Sequence, residues 1–458
     1  MNIPNKLKVI LNLKDGHERS IKTKKNIVAL LFIKGVSVSI NFVLIPIVMG
    51  YLNQERYGIW ITISSIILWF SLFDIGLGNG LKNKFTEAVS KGDHLVAKGY
   101  VSSAYFFISV ISVFIFLVFL VFNQFADWSH LIGIPINYKD ESNSLIFWVF
   151  LSFCIRFPLQ LINILLSCIQ KTYIGNLMDL LANIIVFIII ILSTKVHNSL
   201  LLIGLIYSFI PVIFLLISNV IFLKKYFYLY KFDIKLINKK YLKPILSLGF
   251  GFFVIQISLI IIGQTDNIII LKLLGPKEVT SYSIVYKYFG FITIVFSLIL
   301  FPFWTAFTEA FSNNDFEWVR KVLKKIYYLS FFFIIITLFL FIVNRYLISI
   351  WIGSYLQYSF LLPLLTMINT IFYISNNIFG TVLNGLGKIR LSSLLVVISA
   401  LINIPLCIYF VKYCSMGNSG VMLGTLCSGL LIFLINPFQV YYFIYNKKKT
   451  VILDKLLS

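Results

Sequence analysis

The sequence predicts an all-α, polytopic membrane protein with about twelve transmembrane helices, six on each side of a basic linker. Three observations carry that reading. Of the 458 residues, 59% are hydrophobic and only 12% charged, where a soluble protein carries roughly 25% charged residues. Apolar stretches of about 20 residues, the length that crosses a bilayer, recur along the whole chain. Near the middle lies KKYFYLYKFDIKLINKKYLK, with Lys224, Lys225, Lys231, Lys235, Lys239, Lys240 and Lys243 set against the single acid Asp233.

Taken in order, residues 1–25 form a basic tail containing Lys6, Lys8, Lys14, Arg19, Lys22, Lys24 and Lys25. Spans are expected near 27–50, 57–80, 99–122, 144–168, 176–194 and 199–222. Beyond the linker they are expected near 246–272, 279–303, 327–350, 356–382, 391–412 and 419–444. The expected domains are therefore a tail (1–25), a first bundle (26–222), a linker (223–245), a second bundle (246–445) and a tail (446–458).

Charge sets the expected orientation. With both termini cytoplasmic, the tails and even-numbered connections hold 29 of the 39 Lys and Arg, and the outer connections with the span ends that border them hold seven. Lys34, Arg156 and Lys287 fall deeper within spans. A bias of that size follows the positive-inside rule and makes the linker a cytoplasmic hinge. The net charge of +22 is thus dispersed among short connections, which excludes a nucleic-acid partner. No apolar segment followed by a small-residue cleavage site succeeds the N-terminus, so no cleaved signal peptide is expected. Cys154, Cys168, Cys407, Cys414 and Cys427 form no CxxC pair, and His17, His94, His130 and His197 are scattered, so neither disulfide, metal nor other cofactor is expected. The longest outer connection, about 123–143, is too short for a soluble catalytic domain.

A short internal repeat is also visible. Aligning Leu52 with Leu274 places Gln54-Glu55-Arg56 against Pro276-Lys277-Glu278 and Trp60 against Tyr282. Six spans return a chain to its starting side, so duplicated halves would share one orientation.

Polar residues inside spans are the functional candidates, because a central ion costs ~2.5–3.5 kcal/mol on insertion scales and therefore faces a bundle interior or cavity. In span 4, Ser152, Arg156, Gln160, Asn163 and Ser167 share one helical face beside Pro158. Span 1 offers Lys34, Ser37 and Asn41, and span 10 offers Asn369, Tyr373, Asn376 and Gly380. Asn176, Asp179 and Asn183 lie in span 5, Gln256, Gly263, Asp266 and Asn267 in span 7, and Lys287 in span 8. A single Asn or Ser is more simply read as a hydrogen bond between helices. The span 4 stripe with its arginine reads better as a cavity wall. These three cations deep within spans suit an anionic cargo, and guanidinium suits phosphate through its forked donors.

The order of Tyr51-Leu52-Asn53-Gln54-Glu55-Arg56-Tyr57-Gly58-Ile59-Trp60 and Phe73-Asp74-Ile75-Gly76-Leu77-Gly78-Asn79-Gly80-Leu81 resembles O-antigen flippases. Asp266-Asn267-Ile268-Ile269, Leu274-Gly275, Tyr282-Ser283-Ile284-Val285 and Asn384-Gly385-Leu386-Gly387-Lys388-Ile389-Arg390 extend the resemblance over about 27–445. These flippases form the polysaccharide-transport branch of the multidrug/oligosaccharidyl-lipid/polysaccharide exporter superfamily. The resemblance implies two six-helix bundles around a central cavity, with alternating access in the bacterial inner membrane. It implies an undecaprenyl-pyrophosphate-linked oligosaccharide as cargo, membrane lipids around the chain, and a polysaccharide polymerase with its chain-length machinery as further partners. On that reading Lys34, Arg156 and Lys287 attract the pyrophosphate, while Asn41, Gln160, Asn163, Asn369, Tyr373 and Asn376 face the sugars. Asp74, Asp179 and Asp266 are candidates for charge pairing or for Na⁺ or H⁺ coupling. Three rivals stand beside it: an ion-coupled drug exporter of the same superfamily, a polytopic polysaccharide polymerase, and a scaffold in an assembly complex.

Overall fold

A computed structural model describes residues 18–70, 77–169, 171–194, 199–312, 314–353, 356–388 and 390–445. Its elements are helices α1 (Glu18–Phe70), α2 (Leu77–Ser90), α3 (His94–Phe125), α4 (Trp128–Ile132), α5 (Lys139–Leu159), α6 (Leu161–Cys168) and α7 (Thr172–Ser193). There follow α8 (Leu200–Tyr226), α9 (Lys239–Leu274), α10 (Pro276–Ser312), α11 (Phe316–Ile352), α12 (Leu361–Leu386), α13 (Arg390–Lys412) and α14 (Asn418–Tyr445). In lipid every backbone N–H and C=O needs an internal partner, which leaves helix as the solution for such apolar segments. The result is an all-α, polytopic membrane protein.

Among the described residues, 11 helices are long and apolar enough to cross a membrane. Expected spans 3 to 12 each correspond to one of them, and spans 1 and 2 share the remaining one, Ala29–Ile66. That helix is not one uniform rod. Asn53 has φ 67°, and its Oδ1 accepts hydrogen bonds from the backbone N–H of Glu55 and Arg56 at 3.0 and 3.1 Å. Asn53 therefore ends one arm and caps the next, as asparagine does where an N-cap acceptor is needed. The position aligned with it by the internal repeat is Gly275, with φ +94°. Gly275 ends α9, and Pro276 opens α10, the usual asymmetry of glycine after one helix and proline at the start of another. Both copies of the motif thus break the helix at the same place by the same backbone device.

The chain forms two compact units. The first comprises residues 1–51, 70–127 and 141–253, and the second 52–69, 128–140 and 254–458. This differs from a division at the linker alone: the arm at 52–69 and the connection at 128–140 group with the second unit.

In the first unit, Phe119 of α3 stacks on Phe150 of α5 at 3.9 Å between ring centroids. Ser112 Oγ donates to the Cys154 carbonyl at 2.5 Å, joining the same two helices. Pro158 lies at the end of α5, and the helix restarts at Leu161. Glu141 Oε1 accepts from the N–H of Leu200 at 2.6 Å and so caps the start of α8 from a distant part of the chain.

The linker is not free. Asp233 Oδ2 accepts from Lys98 Nζ at 2.7 Å, and the Asp233 N–H donates to Ser102 Oγ at 3.0 Å. The Asn238 N–H donates to Ser103 Oγ at 3.2 Å. His94 Nδ1 and Tyr230 Oη lie 2.7 Å apart, and a Cβ on Gly99 would meet the Tyr241 ring at 2.5 Å. Every one of these partners lies on α3, so the stretch expected to be a hinge is strapped to the first unit through Tyr241.

The second unit's core joins α10, α11, α12 and α14 through Phe296, Phe307, Leu323, Ile326, Ile378 and Phe443. Gly420 and Gly424, four apart on α14, leave room for α13: an added Cβ would fall 2.9 Å from the Phe410 carbonyl carbon and 2.7 Å from Cys407 N. Such small residues let membrane helices approach backbone to backbone.

Candidate substrate-binding site

In the first unit the candidates gather on α1, α5, α6 and α7. Arg156 is exposed and within electrostatic reach of the Asp179 carboxylate, also exposed on α7. Asn183, one turn further along α7, donates from Nδ2 to Ser37 Oγ of α1 at 2.7 Å. Lys34 is exposed about one turn before Ser37. Gly175 of α7 makes room for Asn163, whose Oδ1 would lie 2.6 Å from an added Cβ. That oxygen is buried without a hydrogen-bond donor. The structure thus brings a cation, an acid and an unsatisfied amide oxygen onto neighbouring helices.

Several of the expected polar residues are already satisfied locally. Asn41 donates to the Ser37 carbonyl at 2.9 Å, Ser152 to Val149 O at 2.7 Å, and Ser167 to Ile164 O at 2.6 Å. Gln160 sits at the junction of α5 and α6, where the helix is interrupted after Pro158, so the stripe bends there. Asp74 lies outside the described residues.

The second unit carries the other cation. Lys287 Nζ donates to Tyr57 Oη at 3.0 Å, linking α10 to the 52–69 arm. Asn267 of α9 donates from Nδ2 to Ser65 Oγ at 2.7 Å on the same arm. A Cβ on Gly58 would lie 2.0 Å from the Pro276 carbonyl oxygen. Glu55 lies 3.2 Å from Lys277 Nζ and accepts from Tyr138 Oη at 2.9 Å. Glu55 and Lys277 are the residues that the internal repeat aligns with one another.

On α12, Asn369 and Asn376 are half-buried and Tyr373 is exposed. Asn376 Oδ1 is a second buried oxygen with no donor. Tyr282 and Tyr286 of α10 have nearly parallel rings with centroids 6.1 Å apart. Tyr373 lies close enough to Tyr286 to act on it electrostatically.

Asp266 is only 3% exposed. Tyr282 Oη donates to its Oδ2 at 2.5 Å, and Thr425 Oγ1 lies 3.4 Å away. Asn403 Nδ2 donates to Thr425 Oγ1 and Ser428 Oγ, both at 3.2 Å. Cys407 Sγ points at the Val421 carbonyl at 3.4 Å. Among the described residues, the Asp266 carboxylate thus has the hydroxyls of Tyr282 and Thr425 as hydrogen-bond partners. Sequence reasoning missed Asn403, Thr425 and Ser428. Each is a common small polar residue inside an apolar span, and only the packing of α9, α13 and α14 assembles them around one carboxyl.

The sequence profile of the family described as polysaccharide biosynthesis protein matches residues 23–306, more than half of the chain. The chain belongs to this polysaccharide biosynthesis family. A second profile, MatE, matches 252–409. A protein of Yersinia pseudotuberculosis, provisionally described as an O-antigen export protein, is 29% identical over 66% of this chain and 68% of its own. A Salmonella typhi protein, provisionally described as an O-antigen transporter, is 24% identical over 91% and 94%. The lipid II flippase MurJ, solved in an inward closed conformation, matches with a TM-score of 0.72 at 16% identity, over 90% of this chain and 87% of that one. An inward-facing multidrug resistance MATE transporter of the MOP superfamily gives 0.71 at 14%, over 92% and 100%. These likenesses place this member of the polysaccharide biosynthesis family in the MATE-like fold.

Proposed function

We infer that the chain is a lipid-linked oligosaccharide flippase. It moves undecaprenyl-pyrophosphate-linked O-antigen repeat units, or similar polysaccharide units, from the cytoplasmic to the periplasmic leaflet by alternating access. Membership of the polysaccharide biosynthesis family and the two O-antigen relatives support the cargo class. The observation that carries the mechanism is the group on α1, α5, α6 and α7, where Arg156 stands exposed within a membrane segment beside Asn163 and Asp179.

Arg156, Lys34 and Lys287 attract the pyrophosphate, and Arg156 offers it a forked set of donors. The buried oxygens of Asn163 and Asn376 lack donors, and sugar hydroxyls supply donors. Asn41, Gln160, Asn369 and Tyr373 complete the polar path after local rotation. The polyprenyl tail stays in lipid. No bond is made or broken, so the work is transport and not catalysis. Asp266, with Asp179 and Asp74 as further candidates, carries the coupling ion, Na⁺ or H⁺. The chain sits in the bacterial inner membrane with both termini and the basic linker on the cytoplasmic side, and delivers its cargo to a polymerase and its chain-length machinery.

The test uses a host strain lacking this gene. Surface polymer should disappear while complete repeat units accumulate facing the cytoplasm. Complete units reaching the periplasm in that strain would defeat the reading. A second reading, ion-coupled drug export, draws on the MatE match at 252–409 and on Asp266. Unchanged surface polymer with altered drug resistance would favour it.

A further inference from the structure

We propose that the first unit holds one anionic phospholipid of the linker-side leaflet, with its acyl chain in the crevice between α3, the end of α8 and the linker and its headgroup on Lys224 and Lys231. This site is separate from the residues assigned to the cargo.

The crevice has a volume of about 230 Å³. Its walls are Val101, Tyr105, Phe106 and Ser109 of α3, Leu223 of α8, and Tyr230 and Phe232 of the linker. The polar atoms of its wall are largely spoken for. Tyr105 Oη donates to Asn219 Oδ1 at 2.9 Å, and Tyr230 Oη is held by His94. What remains facing the opening is apolar, which suits a hydrocarbon chain and offers nothing to a sugar.

Charge decides the headgroup. Lys224 adjoins the wall residue Leu223, and Lys231 stands between Tyr230 and Phe232; both lysines are exposed. Lys98 is engaged by Asp233, the linker's single acid, and Lys225 and Lys171 lie over the Tyr226 ring. Among the described residues Lys224 and Lys231 have no acidic partner. Beside them Tyr228, Leu229, Phe232 and Ile234 are 61%, 50%, 53% and 70% exposed, an apolar fringe continuous with the crevice mouth. Lysines flanking exposed aromatic and aliphatic residues at the end of a span form the surface that an anionic leaflet attracts. The strap holding the linker on α3 fixes the crevice and the two lysines as one site.

The experiment is native mass spectrometry of the full-length protein released from detergent, with defined phosphatidylglycerol, phosphatidylcholine or undecaprenyl phosphate added. One phosphatidylglycerol should be retained in preference to phosphatidylcholine, by roughly fivefold for each lysine engaged. Lys224→Gln with Lys231→Gln should abolish the preference while leaving tail-driven binding. Ser109→Phe, which fills the crevice from a half-buried position, should remove the retained lipid while leaving the lysines in place. Equal retention of the two phospholipids by the unaltered protein would overturn the proposal, as would retention unchanged in both variants. Undecaprenyl phosphate displacing phosphatidylglycerol at equal concentration would overturn it too, by assigning the crevice to the cargo's tail.

Discussion

Replacing Arg156 by alanine removes the guanidinium placed in the middle of the span 4 polar stripe. A lost charge-assisted hydrogen-bond pair of this kind is worth about 1.5–3 kcal/mol, so transport should fall roughly ten- to a hundredfold. Lysine at this position restores the charge but not the fork, and should recover only part of the loss. Repeat-unit flipping in reconstituted vesicles checks both, with membrane insertion measured alongside; full activity of a properly inserted Arg156→Ala protein would remove the arginine from the mechanism. Asp266 separates two roles by two substitutions. Asp266→Asn keeps an acceptor for Tyr282 and should leave the fold intact while flattening the dependence of transport on pH or Na⁺. Asp266→Leu strands the buried Tyr282 hydroxyl and should lower stability by about 1–3 kcal/mol. A dependence on pH and Na⁺ unchanged in Asp266→Asn would end its candidacy as the coupling residue. The sequence shows Asp266 plainly, because a carboxylate in an apolar span stands out. It does not show Asn403, Thr425 and Ser428, which lie 137 residues or more further on and become neighbours only when α13 and α14 close on one another through Gly420 and Gly424.

At the level of elements, close packing predicts which glycines are replaceable. Gly58→Ala puts a methyl group 2.0 Å from the Pro276 carbonyl oxygen and should push the 52–69 arm off α10. Gly35→Ala meets nothing within 4 Å and should be neutral or stabilising by up to about 1 kcal/mol, the helix preference of alanine over glycine. Thermal unfolding in one detergent compares them; equal midpoints would mean the arm is not seated as described. The linker gives a second case. The hydrogen bond from Lys98 is the first of the interactions that hold the Asp233 carboxyl below the usual carboxylate range. A group with a lowered folded pKa stabilises above its unfolded value, near ~3.9 for aspartate, and that contribution fades as pH falls through the folded value. Hydrogen exchange over 228–238, corrected for intrinsic rate, should therefore be equal at neutral and mildly acidic pH and rise only in strong acid. Asp233→Asn should raise it at neutral pH. The basic density of this stretch was legible, and it pointed to a hinge. Its strap was not, because Lys98 and Asp233 are 135 residues apart and an isolated acid among lysines names no particular partner.

For the whole molecule, the twelve expected spans and their order could be read because a bilayer imposes one length and one backbone solution on each. The abrupt junction of the first two at Asn53 could not, since an asparagine at positive φ leaves no mark in hydropathy. The charge distribution makes a prediction at this scale. Reporters inserted after Lys235 should read as cytoplasmic, and those after Gly133 as periplasmic; the same side for both would refute the orientation.

The grouping of the 52–69 arm with later residues also bears on the order of synthesis. Every contact of the linker strap is complete once Tyr241 has left the ribosome, so the start of α9 is held on the first unit before residues 254–458 exist. The arm at 52–69 is in the opposite situation. Tyr57, Gly58 and Ser65 find Lys287, Pro276 and Asn267 only after more than two hundred further residues are made, roughly 10–40 s at typical translation speeds. Through that interval Tyr138 is at hand for Glu55, but the phenol of Tyr57 and the hydroxyl of Ser65 still wait for their mates, which makes the arm a natural client for an insertase that shelters polar helices until their partners arrive.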